Sequence, residues 1–563
     1  MPQTLPSALT YSGLHAPERW VLPAVLAEQA AQQADAPWFI GIGGETLSFG
    51  QAHADVQRAA GHFAQLGVQR GDAVVLMAGN HADFIRAWLG LLSLGAVAVL
   101  LNTELRGAFL RHQLHNSGAA WAVVDAELLA AVDAVAAEVP ALTHVLVLGD
   151  VAAAAMPAAA SPTRLPWHDW QHATPFTGPL PQAQDTACIM YTSGTSGPSK
   201  GVLMPHAHCT LFGIGSVESV QARADDRWYI ALPLFHANGL LIQLGATLLA
   251  GVPAIVRSRF SASQWLADIR QHRATITNCL GALAAFIGAT PPSDHDRDHA
   301  LRVISNGPNL PALEAMFRQR FGVRDVVSGY GMTEVNMPIW GRIGHSTPGA
   351  AGWVHTDHFE LIIANPETDA ELPRGAMGEI LIRPRVPFGF MTGYHQAPEK
   401  TVEAWRNLWF HSGDAGVMDA SGLVTFVDRI KDCIRRRGEN IAANEVENLL
   451  SHLPGVAEIA AYAVPSSIAG GEDELMLAIV PNPGVELTAS ALLALAESAD
   501  ALLPRFARPR YLQALAELPK TATGKVQRAV LRKAGSAGAV DRGEEQRRPG
   551  GKGGAAATAT AAS

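Results

Sequence analysis

Helix-like and strand-like periods alternate along the first part of the chain. Apolar runs at Ala73–Met77 and Ala96–Leu101 read as buried strands, and Gln51–Leu66 and His81–Leu94 read as amphipathic helices. Strands separated by helices imply a mainly parallel sheet covered on both faces. Ala152–Pro181, rich in Ala, Pro and small polar residues, reads as a surface connection. The alternation resumes at Ala187 and runs past Glu334. Beyond about Ala350 the short runs Phe359–Ile363, Gly378–Ile382 and Leu423–Val427 are separated by turn residues and predict an antiparallel block. A compact α+β unit is predicted from about Asp432 to Arg532, and Gly535–Ser563 lacks apolar periodicity and reads as a disordered tail.

One segment, Trp228–Val256, contains no Asp, Glu, Lys or Arg. Pro233, His236, Asn238, Gly239, Gly251 and Pro253 interrupt it, so it reads as buried α/β core rather than a membrane span. The 563 residues suggest three or four domain-sized units at roughly 150 residues each. Charged residues reach 17% and the net charge is −9, which gives no electrostatic footprint for nucleic acid or an anionic membrane. Four scattered cysteines without a CxxC pair argue against a disulfide framework and a structural zinc site. Met1–Trp20 has no basic stretch followed by an apolar run, so a secretory signal is not expected and a cytoplasmic protein is the default.

The richest chemical signal is Tyr191-Thr192-Ser193-Gly194-Thr195-Ser196-Gly197-Pro198-Ser199-Lys200-Gly201, which follows the apolar strand Ala187–Met190. Glycines let backbone N–H groups converge, hydroxyls add donors and the lysine adds charge, together a cradle for polyphosphate. Lys200 does not directly follow a glycine, so this is not a Walker A loop.

The loop resembles the signature of the adenylate-forming superfamily, which holds acyl- and aryl-CoA synthetases, peptide-synthetase adenylation domains and luciferases. Further resemblances follow in the family's order: Pro233-Leu234-Phe235-His236-Ala237-Asn238-Gly239, Ser328-Gly329-Tyr330-Gly331-Met332-Thr333-Glu334, and His411-Ser412-Gly413-Asp414. Asp428-Arg429-Ile430-Lys431-Asp432, Arg437-Gly438-Glu439-Asn440-Ile441 and Leu518-Pro519-Lys520-Thr521-Ala522-Thr523-Gly524-Lys525 complete the series. The family's usual Thr-Thr-Gly stands here as Thr195-Ser196-Gly197, which keeps the hydroxyl. Phe426-Val427-Asp428-Arg429, Arg436-Arg437-Gly438-Glu439-Asn440-Ile441 and the Pro291–Arg302 stretch look most like the crotonobetaine/carnitine-CoA ligase branch.

The resemblance implies an α/β fold, with a large N-terminal domain of helix-flanked sheets plus a small antiparallel subdomain, followed by a small mobile α+β domain. The division expected is 1–428, a hinge at 429–431, 432–535, and a tail at 536–563. It implies an acyl-CoA synthetase that uses ATP, Mg2+ and coenzyme A as co-substrate. A carboxylate attacks ATP to give an acyl-adenylate and pyrophosphate, and the acyl group then passes to coenzyme A. In that scheme the catalytic set is Lys525, Thr333, Glu334 and His236. The nucleotide set is Thr192, Ser193, Gly194, Thr195, Ser196, Gly197, Lys200, Tyr330, Gly331, Met332, Thr333, Asp414, Arg429 and Lys525. Glu334 suits magnesium, a hard cation that prefers carboxylate oxygen. Tyr330 is placed against adenine, Asp414 and Arg429 at the ribose, Lys431 at the hinge, and Gly438 with Arg435 at the thiol tunnel. Many relatives carry lysine where Arg435 stands.

Candidate acyl-pocket positions are His236, Asn278, Gly281, Ser305, Gly329 and Asn336. The partners implied are a carboxylic acid, ATP and coenzyme A, without nucleic acid or an integral membrane segment, and with room left for a homodimer. Two alternatives stay open at this point: a ligase loading the phosphopantetheine of a carrier protein, and a non-catalytic nucleotide-binding protein on the same fold. No Gly-x-Ser-x-Gly elbow occurs and no Gly-x-Gly-x-x-Gly follows a strand, which removes support for a serine hydrolase and a dinucleotide oxidoreductase. His112 with His115, and the Asp294–His299 cluster, read as solvated surface rather than metal sites.

Overall fold

The computed structural model describes residues 12–149, 162–192, 198–307, 309–430, 433–436, 439–465, 473–503, 507–520 and 526–543. Helix Phe49–Gln65 starts two residues earlier than its apolar spacing predicts, because Ser48 and Gln51 form a capping box. The Gln51 backbone N–H donates to Ser48 Oγ at 3.2 Å and the Ser48 N–H donates to Gln51 Oε1 at 2.9 Å. Helix Ala82–Leu94 and strands Ala73–Met77 and Val97–Leu100 follow, the two strands parallel to each other.

The chain divides into two compact units, Met1–Ser412 with Val417–Phe426, and Gly413–Gly416 with Val427–Ser563. In the first unit an eight-stranded sheet runs Gly393–Tyr394, Lys200–Pro205, Thr186–Thr192, Val97–Leu100, Ala73–Met77, Trp121–Asp125, His144–Leu148 and Thr163–Pro166. A seven-stranded sheet runs Asp325–Val327, Val303–Gly307, Ile276–Leu280, Trp228–Ile230, Ala254–Val256, Pro37–Gly41 and Thr46–Ser48. All its strand pairs are parallel except the last. Side chains from both sheets and from helices such as His206–Val220 and Gly245–Ala250 share one core. Helix His206–Val220 is buried on nearly every side, which explains why it shows little amphipathic periodicity. The segment Trp228–Val256 is buried core, as its breaks predict, and no helix among the described residues is long and apolar enough to cross a membrane.

The expected antiparallel block forms from Gly329–Met332, Asn336–Trp340, Gly352–Val354, Phe359–Ala364 and Met377–Pro384, with Phe410–Met418 and Leu423–Arg429 completing its sheet. The α/β class stands. One expectation is corrected: part of Ala152–Pro181 is not surface connection. Thr163–Pro166 is an edge strand, and Trp167 and Trp170 of the following turn are buried against Phe63 and each other.

In the second unit, strands Val456–Val464, Glu474–Pro481, Tyr511–Ala514 and Val540–Asp541 form a sheet beside helices Ala443–Leu450, Ala489–Leu502 and Arg528–Ala534. A separate hairpin pairs Cys433–Arg436 with Glu439–Ala442. The tail expected from 536 therefore starts too early. Val540 and Asp541 pair with Leu512 and Tyr511, Arg510 Nε donates to Asp541 Oδ1 at 3.1 Å, and Arg542 grips Asp500 through two bonds of 2.9 and 2.7 Å. Two arginine–carboxylate pairs hold a segment whose apolar content alone would not. Arg542→Ala should lower the stability of this unit by about 1–3 kcal/mol, read from its denaturant midpoint. An unchanged midpoint would contradict the docking of Gly535–Gly543.

Candidate active site

The strand Thr186–Thr192 turns back as Lys200–Pro205, and the register sets Thr192 opposite Lys200 at the mouth of the hairpin. Ser193, Gly194, Thr195, Ser196 and Gly197 lie outside the described residues, so only the two feet of this loop are visible. The outgoing foot is anchored: His112 Nε2 lies 2.9 Å from the Ser199 carbonyl, and Gln113 Nε2 donates to Ser199 Oγ at 3.0 Å. His112, read from sequence as solvated surface, is thus a partner of the phosphate loop.

Strand Gly393–Tyr394 adds to the same edge, pairing Tyr394 with Val202. Its ring lies under Lys200, whose Nζ is 4.0 Å from the ring centroid. Its hydroxyl donates to Glu334 Oε1 at 3.1 Å, and the Thr192 hydroxyl donates to that same oxygen at 3.1 Å. One buried tyrosine therefore fixes both an ammonium, through its π face, and a carboxylate, through its O–H. Sequence reasoning missed Tyr394; only strand pairing brings it to Lys200, so no local pattern marks it.

Glu334 sits in the turn between strands Gly329–Met332 and Asn336–Trp340, not at a helix start. Gly331 is required there, because a Cβ would lie 2.1 Å from the Asn336 carbonyl oxygen. The turn is clamped from behind. His208 Nε2 lies 2.9 Å from the Thr333 carbonyl and Nδ1 lies 2.8 Å from the Gly389 carbonyl, while Met391 N–H donates to the Glu334 carbonyl at 3.0 Å. Met332 packs at the margin of the core, and Tyr330 is buried, stacked on Phe426 with centroids 5.9 Å apart.

Asn336, expected in the acyl pocket, also braces the hairpin. It is buried with φ +68, its Nδ2 donates to the His208 carbonyl at 2.8 Å, and its Oδ1 accepts from Met337 N–H at 2.8 Å. One amide N–H and one lone pair of the oxygen are thus engaged within the protein, on a backbone in the left-handed region.

Two of the remaining acyl candidates are strand neighbours. Asn278 and Ser305 are register partners near the carboxyl ends of adjacent parallel strands, where α/β sheets characteristically bind ligands. Gly281 begins the helix that follows Asn278, and Gly329 follows the strand Asp325–Val327. His236 is exposed rather than a core histidine, with its ring 4.7 Å from that of Phe235. The chain after it winds into a π-helix, Asn238–Leu244, a form common at functional sites. Gly239 permits this, since a Cβ would lie 2.3 Å from the Pro233 carbonyl. Asn80, another residue the sequence did not single out, holds the segment by accepting from Leu234 N–H at 2.8 Å and donating to the Leu232 carbonyl at 3.0 Å. Asn278 Nδ2 donates to Asn238 Oδ1 at 3.0 Å, and Gln243 joins both. Asn278 Oδ1 is buried without a hydrogen-bond partner.

In the second unit Arg429 Nε lies 2.9 Å from the buried Asp414 Oδ1. Asp428 accepts from the Asn444 backbone N–H and Nδ2, both at 2.9 Å, and so caps helix Ala443–Leu450. Arg435 lies on strand Cys433–Arg436, opposite Asn440. Lys431, Gly438 and Lys525 lie outside the described residues.

Known proteins share the sequence family and the fold. The family model described as AMP-binding enzyme matches residues 26–395, and that described as AMP-binding enzyme C-terminal domain matches 445–525. A crotonobetaine/carnitine–CoA ligase of Escherichia coli is 31% identical over 493 residues, covering 86% of this chain and 93% of that protein. The corresponding ligase of Citrobacter koseri is 31% identical, over 85% and 92%. Among solved structures, an anthranilate CoA ligase in complex with anthranoyl-AMP superposes with a TM-score of 0.79 at 25% identity, over 93% of this chain and 99% of that one. ATP-bound MatB from Rhodopseudomonas palustris gives 0.79 at 26% identity, over 92% and 99%. The chain belongs to the AMP-binding enzyme family. Its enzymatic class there is the AMP-forming acid–thiol ligase.

The helix that supports the site makes the fold acid-sensitive. Burial pushes His206 down to about 3 and His208 down to about 4, outweighing the nearby carboxylate and carbonyl oxygens. Both lie below the ordinary 6.5, so the unfolded chain takes the proton more readily, and their contribution is intact above pH 6.5 and lost as pH falls toward 4. Between pH 6.5 and 5 each should remove about 2 kcal/mol of stability. In urea unfolding at the two pH values, His206→Leu should lose about 2 kcal/mol less than the wild type over that interval; an equal loss would contradict the neutral buried ring.

Proposed function

We propose that this ligase activates a small polar carboxylic acid with ATP and delivers the acyl group to coenzyme A. The observation that carries the reading is the joint fixing of Lys200 and Glu334 by Tyr394 and Thr192 at the mouth of the phosphate loop. A carboxylate needs no general base to act as a nucleophile. The obstacle is the approach of one anion to another, so aimed cations and N–H donors carry the catalysis.

In this reading the Ser193–Gly197 loop and Lys200 hold the outer phosphates. Glu334, with hydroxyls converging on its carboxylate, offers the hard oxygen ligand that suits magnesium. When bound, that ion offsets the negative charge of the polyphosphate. Thr333 donates to phosphate, Tyr330 and Gly331 border the adenine, and Asp414 accepts from the ribose hydroxyls beside Arg429. Lys525 bridges the acid carboxylate and the α-phosphate, so that the carboxylate oxygen attacks phosphorus and pyrophosphate leaves. The second unit then pivots at Lys431, bringing Gly438 and Arg435 to the thiol. Its sulfur attacks the acyl carbon, and AMP departs.

The acid is proposed from the pocket polarity. The Asn238, Gln243 and Asn278 amides bond to one another beside Ser305, an uncharged polar cluster in the region proposed for the acid, and the buried Asn278 Oδ1 has no hydrogen-bond partner. An acid carrying a hydroxyl or amide N–H beyond its carboxylate answers that need better than a plain alkyl chain, because an unmatched buried acceptor costs about 1–3 kcal/mol. His236 stands at the boundary between this pocket and the nucleotide.

The test separates the half-reactions across an acid panel. Lys525→Ala should reduce acid-dependent pyrophosphate release by on the order of 100- to 1000-fold, yet still convert supplied acyl-adenylate and coenzyme A to thioester. Wild-type turnover should favour hydroxy- or amide-bearing acids over alkyl acids of equal length. Undiminished pyrophosphate release by the variant, or preference for the alkyl acids, would count against the respective assignment.

A further inference from the structure

A second cluster of chemically capable side chains lies apart from the phosphate loop. Strand Gly352–Val354 leads into the turn His355-Thr356-Asp357-His358, whose first carbonyl accepts from the N–H groups of His358 at 3.1 Å and Phe359 at 2.9 Å. The turn is pinned at both ends: His355 N–H donates to the Pro338 carbonyl at 2.9 Å and Arg385 N–H donates to the His358 carbonyl at 2.8 Å. Its two imidazoles are held with centroids 4.6 Å apart. Glu218, near the end of helix His206–Val220, faces them, with Oε2 2.5 Å from His355 Nε2.

These contacts leave the polar atoms unsatisfied. The Glu218–His355 approach does not meet hydrogen-bond geometry, and Glu218 Oε2, His355 Nδ1 and His358 Nδ1 are all buried without a hydrogen-bond partner. Two imidazole nitrogens without a hydrogen-bond partner, beside a carboxylate oxygen held only by its ion-pair contact, are unusual at one place, because buried polar groups are nearly always satisfied. One ligand atom from each side chain lies within 4.8 Å of the others, the single such group among the described residues. A tetrahedral ion at about 2.0–2.1 Å from nitrogen needs ligand separations of roughly 3.4 Å, so the three side chains would have to adjust their rotamers to hold one. Trp20 packs edge-on against His358 and fixes it from outside. Glu218 and His355 also border a cavity of about 330 Å3 with Trp340 and Trp353, which leaves an open side for water or a small ligand.

We propose that Glu218, His355 and His358 bind a zinc-class divalent cation. Two imidazoles and one carboxylate suit zinc and its first-row neighbours, whereas magnesium demands oxygen ligands and sheds water reluctantly. The site is distinct from the Glu334 site. Glu218 lies ten residues along one helix from His208, about 15 Å at 1.5 Å per residue. A bound ion would staple the far end of the helix whose near end clamps the Thr333 carbonyl.

The test uses the full chain without an affinity tag of histidines. After chelator treatment, loading with zinc chloride and gel filtration, elemental analysis should find one zinc per wild-type chain, unaffected by millimolar magnesium. The double variant His355→Ala/His358→Ala and the single variant Glu218→Gln should each lose at least tenfold in zinc affinity while unfolding cooperatively in the metal-free state. Cobalt(II) loaded into the wild type should give visible d–d absorption of a nitrogen/oxygen site that zinc abolishes, a readout needing no variant. Absence of stoichiometric zinc in the wild type, zinc retained by folded variants, or displacement by magnesium would each overturn the proposal.

Discussion

A single carboxylate oxygen, Glu334 Oε1, receives hydroxyls from Thr192 and Tyr394, each at 3.1 Å. Those residues come from three separate elements: the end of the strand entering the phosphate loop, an edge strand far along the chain, and the turn of a different hairpin. Because Tyr394 also supports the Lys200 ammonium on its ring, the positive and negative groups of the site are positioned by the same side chain. In the proposed reaction a triphosphate and a metal ion would need those two charges at a fixed separation, and rigid placement before the reaction is what makes electrostatic stabilisation effective. The surrounding construction serves this constraint. Gly331 lets the hairpin close, Asn336 takes the positive φ, and His208 ties the Thr333 carbonyl to a buried helix.

The residues proposed for the acyl side stand on the other sheet. Parallel strands carry their carboxyl ends to one edge, and Asn278, Ser305 and the segment ending in His236 all emerge there. Asn80 and Gly239 shape that segment, while the π-helix Asn238–Leu244 turns Asn238 toward Asn278. The amides form a network among themselves, an uncharged polar cluster at these strand ends.

Much of the phosphate side was legible because the relevant chemistry is local: Thr192, Lys200, Thr333 and Glu334 stand in short runs whose glycines and hydroxyls mark backbone turns. Parallel strands were legible for a similar reason, since burial on both faces produces continuous apolar runs such as Ala73–Met77. What depended on long-range pairing was not. Tyr394 has no neighbouring pattern, and His112 looks like any exposed helical histidine until Ser199 arrives beside it. The structural task of Asn336 was not legible, because its left-handed backbone and two amide bonds arise only when the hairpin meets the helix of His208. The Gly535–Gly543 segment was misread because arginine–carboxylate pairs, not apolar residues, attach it. Glu218 and His355 meet only through the fold, so no spacing rule for metal ligands would join them.

In the proposed reaction Glu334 and its hydroxyl partners hold the nucleotide for attack by a carboxylate. The most direct measurement is exchange of labelled pyrophosphate into ATP by wild type and Glu334→Gln, with magnesium and each of a set of polar organic acids. The wild type should exchange label only when a cognate acid is present, and the variant, matched in shape but lacking the charge, should lose that exchange while remaining folded. Acid-independent exchange in the wild type, or full exchange in the variant, would contradict the account.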